Sequence, residues 1–280
     1  MDYKTILVHC DAGRAAPARL ELAATLAERH QAHLIGLHAR PPFEPVIADA
    51  GAFPMDRLFD DHAAALAASE DGSSMAFAAA VKGKSVASEW RSADGYADAL
   101  LTVHARYADL TVVGQNDPEF SSGLPLPPDL PEIVALGTGR PVLVVPFVGV
   151  PASFGRRVML CWNASREAAR AATDAMPLLR SAEIVTVLVV DPETSAAGHG
   201  GEPGADVATW LSRHGVNVTV QRDVAADADV GDVILSRARD CGCDLVVMGI
   251  YGHSRLRELV LGGASRTMLA SMTLPVLMSH

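Results

Sequence analysis

A chain of 280 residues, 49% hydrophobic and 20% charged, is long enough for about two ordinary domains and has ample apolar material for buried cores. Its formal net charge of -10 repels a phosphate backbone, which argues against nucleic acid as a partner. No apolar run reaches the roughly 18 residues of a membrane span, and Met1-Asp2-Tyr3-Lys4-Thr5 lacks the basic start of a signal peptide, so no membrane partner and a cytoplasmic location are expected.

In chain order, the first predicted strand is Thr5-Ile-Leu-Val-His-Cys-Asp11, apolar and ending in a polar turn. An Ala-rich helical stretch follows, from Ala15 to His30. Two further strands of this half are Asp109-Leu-Thr-Val-Val-Gly114 and Pro141-Val-Leu-Val-Val145. Then the order restarts. Arg157-Val-Met-Leu-Cys-Trp-Asn163 matches the first strand and turn, and Ser165 to Leu179 matches the first helix. Asp244-Leu-Val-Val-Met-Gly249 matches the segment at 109, and Pro275-Val-Leu-Met-Ser279 the one at 141. The chain is therefore a duplication. Its halves are placed at 1–148 and 156–280, joined by the Pro- and Gly-containing stretch Phe147 to Gly155.

The second half is predicted to hold strands at about 157–162, 184–190, 216–222, 244–249 and 275–279, with helices at about 165–180, 204–214, 230–241 and 263–271. Leu245-Val-Val-Met248 is apolar at every position, as suits a strand buried on both faces of a parallel sheet. Strand alternating with helix gives the fold class: α/β, two tandem doubly wound domains, each a five-stranded parallel sheet flanked by helices. Ligands in such folds sit beyond the carboxyl ends of the strands. Attention therefore falls on the residues after Cys161, Val190 and Met248.

After Met248 comes Gly249-Ile-Tyr-Gly252, then nine residues, then Gly262-Gly263-Ala264-Ser265 and a predicted helix. Glycines allow close backbone approach, and the N–H groups and dipole of a helix N-terminus favour an anion. Ser265 adds a hydroxyl. Three glycines at this spacing between a buried strand and a helix are more specific than loop punctuation.

From Val246 onward this G-x2-G-x9-G pattern resembles the nucleotide motif of the universal stress protein family, and the family's layout covers the chain twice. The resemblance implies an adenine-nucleotide alpha-hydrolase-like fold and a site for ATP, with or without Mg²⁺, in the C-terminal half. It places Asn163 near the nucleoside and lets Val189 offer backbone groups to adenine. Met248, Gly249, Gly252 and His253 would lie along ribose and phosphates, and Gly262, Gly263, Ala264 and Ser265 around the phosphates. The family usually has Asp where this chain has Asn163, and Ser or Thr where it has Gly263. The resemblance also implies that the last strands of the two halves pair, so that one chain imitates a dimer. Further homodimerisation is left open.

The N-terminal half has lost the motif. Asp117 stands at the second glycine, and Asn116 to Asp129 is rich in proline, which has no N–H for a phosphate. Asp117, Glu119 and Asp129 would repel an anion, so a scaffold or partner-binding role is expected here, although Asp11 keeps the family acid. His9, Asp11 and His38 could converge as metal ligands or be ordinary hydrogen-bonded strand-end groups. Cys241-Gly242-Cys243 reads as a helix end and strand start, with metal or redox chemistry as the alternative; Cys10 and Cys161 read as core thiols. Gly83-Lys84-Ser85 lacks the preceding strand and glycine of a phosphate loop. Arg255, Arg257 and Arg266 could steer phosphate or be plain solvated charges.

No catalytic constellation is evident. The expected function is a nucleotide-binding regulatory protein of the stress response. The alternatives are an interaction protein with a vacant pocket or another small ligand, a weak ATPase, and an ATP-dependent enzyme such as a ligase.

Overall fold

A computed structural model describes residues 2–44, 55–119, 124, 126–192, 201–250 and 263–280. The N-terminal half runs β1 (Thr5–His9), α1 (Ala16–His30), β2 (His33–Arg40), α2 (Met55–Val81), β3 (Ser88–Asp94), α3 (Ala97–Ala105), β4 (Leu110–Gly114), α4 (Leu130–Thr138) and β5 (Val142–Val145). The C-terminal half runs β6 (Arg157–Cys161), α5 (Arg166–Asp174), α6 (Met176–Leu179), β7 (Ile184–Val190), α7 (Ala205–Arg213), β8 (Val218–Asp223), α8 (Val230–Asp240), β9 (Leu245–Gly249), α9 (Ala264–Ser271) and β10 (Val276–Ser279).

Among the described residues ten strands form one sheet in the order β3-β2-β1-β4-β5-β10-β9-β6-β7-β8. Within each half the pairings are parallel. The halves meet where β5 and β10 pair antiparallel, Val144 opposite Val276 and Val142 opposite Met278. These two strands are buried along their whole length, so edges that would be sticky if bare cover one another. The outer edges, β3 and β8, are instead partly exposed and carry Glu89, Arg91, Asp94, Arg222 and Asp223, charges that discourage further strand addition.

Two hydrophobic layers sandwich the sheet, and each runs through both halves. Leu20, Phe77, Leu178 and Leu211 lie in one; Leu101, Val134, Ile234 and Met268 lie in the other. The repeated aspartates have a repeated task. Asp109 accepts the N–H groups of Lys4 and Thr5, and Asp244 those of Arg156 and Arg157, tying the start of the fourth strand of each half to its first.

The helix expected over 165–180 is two helices. Pro177 cannot donate an N–H, and the chain re-forms hydrogen bonds around the Ala175 carbonyl, which accepts from Leu178 and Leu179. The strand expected from 216 begins at Val218, because Val216 is still closing α7: its N–H reaches the Leu211 carbonyl at 3.1 Å, after Gly215 turns the chain with φ of 81°. Among the described residues no helix is long and apolar enough to cross a membrane.

Candidate functional site

In each half the strand order reverses between its first and fourth strands, and the crevice there is the place to look for a ligand. In the C-terminal half this is the carboxyl edge of β6 and β9. Asn163 is exposed there, and its Oδ1 accepts the Ser165 N–H at 3.2 Å across Ala164, which has φ of 58°. Ser165 then caps α5 by accepting the Ala168 N–H at 3.1 Å. The local sequence thus turns the chain sharply and aims the N-terminus of α5 at the crevice.

Gly249 ends β9 directly against that helix. A Cβ built on it would lie 2.6 Å from the Glu167 carbonyl carbon and 2.7 Å from the Ala168 nitrogen. Backbone atoms cannot swing aside, so close packing of α5 on β9 is what demands a glycine here. Glu167 is buried; burial would raise its carboxyl pKa, and the Arg166 hydrogen bond with nearby positive charge leaves it lowered. Gly263 is the N-cap of α9, with φ of -38°, and Ala264 and Ser265 begin the helix, Ser265 buried. Gly252, His253 and Gly262 lie outside the described residues, as do Arg255 and Arg257; Arg266 is exposed.

Two expected contributors sit differently from the expectation. Met248 faces the core, packed in the layer that holds Ile234 and Met278, so its side chain is closed to a ligand. Val185 N donates to Asn217 O and Asp191 N to Asp223 O, so the odd-numbered residues of β7, Val189 among them, bond toward β8. Leu188 faces β6 and receives the Trp162 N–H at 2.9 Å. By that alternation the backbone groups past the end of β6 belong to Val190.

The N-terminal half builds the same crevice from other materials. Asp11 makes the same turn as Asn163, accepting the Gly13 N–H at 2.7 Å. Its carboxylate also meets Arg19 Nη2 at 2.8 Å and His9 Nδ1 at 3.2 Å, and Arg19 Nε donates to the His9 carbonyl at 3.1 Å. Arg19 packs against Gly114, the counterpart of Gly249. Burial would raise Asp11; Arg19 and His9 beside it outweigh that and hold it at about 2. Burial pushes His9 down to about 4, so it is neutral at pH 7. Asp117 is not the bare acid expected, since Arg14 Nε pairs with it at 2.7 Å.

Sequence reasoning missed Arg19 and Gln115. Ala16, Arg19, Leu20 and Ala23 share the buried face of α1, so an arginine on an otherwise apolar stripe was the available signal. Gln115, buried at the end of β4, donates to the Leu269 and Ala270 carbonyls of α9 at 2.8 and 3.2 Å and accepts the Phe147 N–H. Nothing local marks it, because its partners on α9 are 154 and 155 residues away and Phe147 is 32 residues away.

Among the described residues no group of three or more His, Cys, Asp or Glu is placed to hold a metal ion. The His9, Asp11, His38 set divides: His9 Nδ1 lies 3.2 Å from Asp11, while His38 Nδ1 lies 2.8 Å from the Cys10 carbonyl. Cys241 closes α8, Gly242 follows with φ of 62°, and Cys243 leads into β9, its thiol pushed up to about 12 by burial. All four cysteines are unbridged. Lys84 of the discarded phosphate-loop pattern pairs with Glu21 at 2.6 Å.

The model of the universal stress protein family matches this chain twice, over residues 2–146 and 155–280. Among solved structures, a universal stress protein from Archaeoglobus fulgidus superposes with a TM-score of 0.72 at 16% identity, covering 98% of this chain and 95% of that one. A Pseudomonas aeruginosa protein described as functionally unknown gives 0.58 at 16% identity, with 99% and 92% covered. A putative universal stress protein from the same species gives 0.56 at 15%, with 99% and 93% covered. At these identities the likeness is one of fold. No curated protein matches the sequence.

Proposed function

The chain belongs to the universal stress protein family, and on that premise we propose that its C-terminal half holds one ATP per chain in the service of a regulatory role. The observation that carries this reading is the G-x2-G-x9-G spacing of Gly249, Gly252 and Gly262 between β9 and α9, at the reversal of strand order. The nucleoside lies by Asn163 and the end of β7, at Val189 and Val190. The phosphates lie by Gly252 and His253 and at the start of α9, with Gly262, Gly263, Ala264 and Ser265, where the dipole of a helix N-terminus attracts an anion. Mg²⁺ could accompany the triphosphate, and slow hydrolysis requires little beyond bound phosphate and metal.

Asn163 in place of the family acid makes sense on this geometry. Among the described residues the atoms nearest a Cβ on Gly249 belong to α5, its backbone foremost, where Gly114 meets Arg19. An amide makes the same turn without needing a counter-ion. The second reading, a pocket that is vacant or takes another small ligand, draws on the same Asn163, on the lost hydroxyl at Gly263 and on the Glu167 carboxylate beside Gly249.

Calorimetric titration with ATP separates the two. ATP is expected to bind once per chain, and Gly252→Val and Gly262→Val to lose it while circular dichroism reports an intact fold. Two equivalent sites, or unchanged affinity in both folded variants, would overturn the proposal. Mass spectrometry of the molecule released from the purified protein tests the identity of the ligand.

A further inference from the structure

Helix α2 is longer than the part of it that packs. Its 27 residues span roughly 40 Å. Toward its C-terminal end the face carrying Ser69, Ser73, Phe77 and Ala80 is buried, and Phe77 and Ala80 join the core layer that holds Leu20 and Leu34. Steps of three and four residues carry the same face back through Leu66, His62, Phe59, Leu58 and Met55. Among the described residues none of these five belongs to either hydrophobic layer.

Met55 is 47% exposed and Phe59 51%. The ring of Phe43 steadies the inner end of this stripe, its centroid 4.3 Å from that of Phe59 and 5.4 Å from that of His62. His62 Nε2 lies 3.2 Å from the Pro41 carbonyl. Beyond that point Met55, Leu58 and Phe59 are open to water. Single exposed apolar residues need no account, but a stripe that prolongs a buried face over about three turns does.

The charges beside it say what it fits. Residues 55–68 carry Asp56, Asp60 and Asp61 against Arg57 alone. At about 3.6 residues per turn Asp56 and Asp61 fall on opposite flanks of the stripe, and Asp60 and Arg57 fall behind it. Among the described residues none of the three aspartates is engaged in an ion pair. Glu44, next to Phe43, is exposed and accepts the Tyr96 hydroxyl. Arg40, at the end of β2, is committed to Glu70 and Asp94. A second copy of the chain would set the same acids against these, and an anionic lipid surface would be repelled as well. A helix with an apolar stripe and Lys or Arg on its flanks satisfies both features at once.

We propose that the N-terminal part of α2 is a docking face for a cationic amphipathic helix of a partner protein. The apolar side of that helix lies on Met55, Leu58 and Phe59, and its basic residues lie beside Asp56 and Asp61. This surface belongs to the N-terminal half alone and does not rest on the nucleotide reading of the other half.

The test is calorimetric titration of the whole chain with three peptides of about 18 residues, long enough to lie along the exposed turns. The first sets leucines at helical spacing among lysines, the second shuffles that composition, and the third replaces lysine with glutamate. The first is expected to bind once per chain, and to weaken as salt rises from about 50 to about 500 mM. The other two should bind about tenfold or more weakly. Phe59→Ser should weaken the first peptide by about tenfold or more, as loss of an aromatic anchor does. Asp56→Asn combined with Asp61→Asn should flatten the salt dependence. This pair leaves the apolar stripe untouched, so it tests the face even if circular dichroism shows that Phe59→Ser unwinds the helix. Ala64→Ser, on the exposed opposite side, should change neither affinity nor salt dependence. The proposal fails if the first peptide does not bind, if either control peptide binds equally well, or if the Phe59 and aspartate variants bind it like the unaltered chain. It also fails if sedimentation shows the free chain forming a dimer that Phe59→Ser dissociates, since a second copy is then the occupant.

Discussion

The two halves share element order, strand register and even the hydrogen bonds that close each strand. Cys10 N and Trp162 N reach Leu37 O and Leu188 O, and Gln115 N and Ile250 N reach Val145 O and Ser279 O. They part company at one point, the glycine ending the fourth strand. At Gly249 the α5 backbone presses directly on the strand; at Gly114 a buried guanidinium fills the space and draws Asp11 and His9 around it. One framework thus supports a close-packed crevice served by helix N-termini and an ion-paired crevice with its charges cancelled. What differs is the nature of the neighbour that meets a single Cα.

Four measurements would break or sharpen that contrast. The largest effect is expected from Arg19→Met, which leaves the charged, half-buried Asp11 without its buried partner. Breaking a buried pair costs on the order of 3–5 kcal/mol, and chemical denaturation should register it as a loss of stability. An unchanged midpoint would mean that the cluster is ornamental.

Second, acid should weaken the fold through His9. Its folded pKa is about 4, against the ordinary 6.5 that the unfolded chain retains. Between these values the unfolded state binds more protons, so stability falls as pH drops from about 6.5 to 4, by on the order of 3 kcal/mol. Asp11, held at about 2 from 3.8, continues the loss below pH 4, since its depressed pKa stabilises only while it is ionised. A His9→Gln variant should show a flatter melting temperature over pH 4 to 6.5; an equally steep profile would assign the titration elsewhere.

Third, Gly249→Ala should destabilise by about 1–3 kcal/mol, the range for overpacking a tight core, because its new Cβ meets backbone. Gly114→Ala meets the end of the Arg19 side chain, which can shift, and should cost less. Equal losses in urea titrations would erase the distinction between the crevices. Smallest is Ser165→Ala, which removes the α5 cap for about 1 kcal/mol. Thr or Asp at this position should restore what Ala loses, as read by thermal melting.

Much of this was legible in the sequence because it depends on local order and periodicity. Runs such as Leu245–Met248 identify doubly covered strands, the repeated Asp-Leu-x-Val segments reveal the duplication, and glycine and serine spacing marks the turn into α9. Helix ends were less legible where one residue intervenes, as at Pro177 and Val216. The site residues divide in the same way. Asn163 and Ser165 make a turn that spacing foretells, whereas Met248 turns out to face the core and Val189 to bond toward β8, since side-chain and backbone direction follow from sheet register.

By itself, then, the sequence determined the two α/β halves, their strands and the glycine spacing, since these follow from which residues can turn, stay apolar or cap within a few positions of one another. That the last strands of the two halves pair was expected from the family resemblance; tertiary structure decided that β5 and β10 do so antiparallel and in this register. It also placed Gln115 to hold the last turn of α9, and Arg19 to neutralise the acid that Asn163 has no need to carry. Those outcomes rest on contacts between residues far apart in the chain, or on which face of a helix meets which strand. No local pattern encodes them.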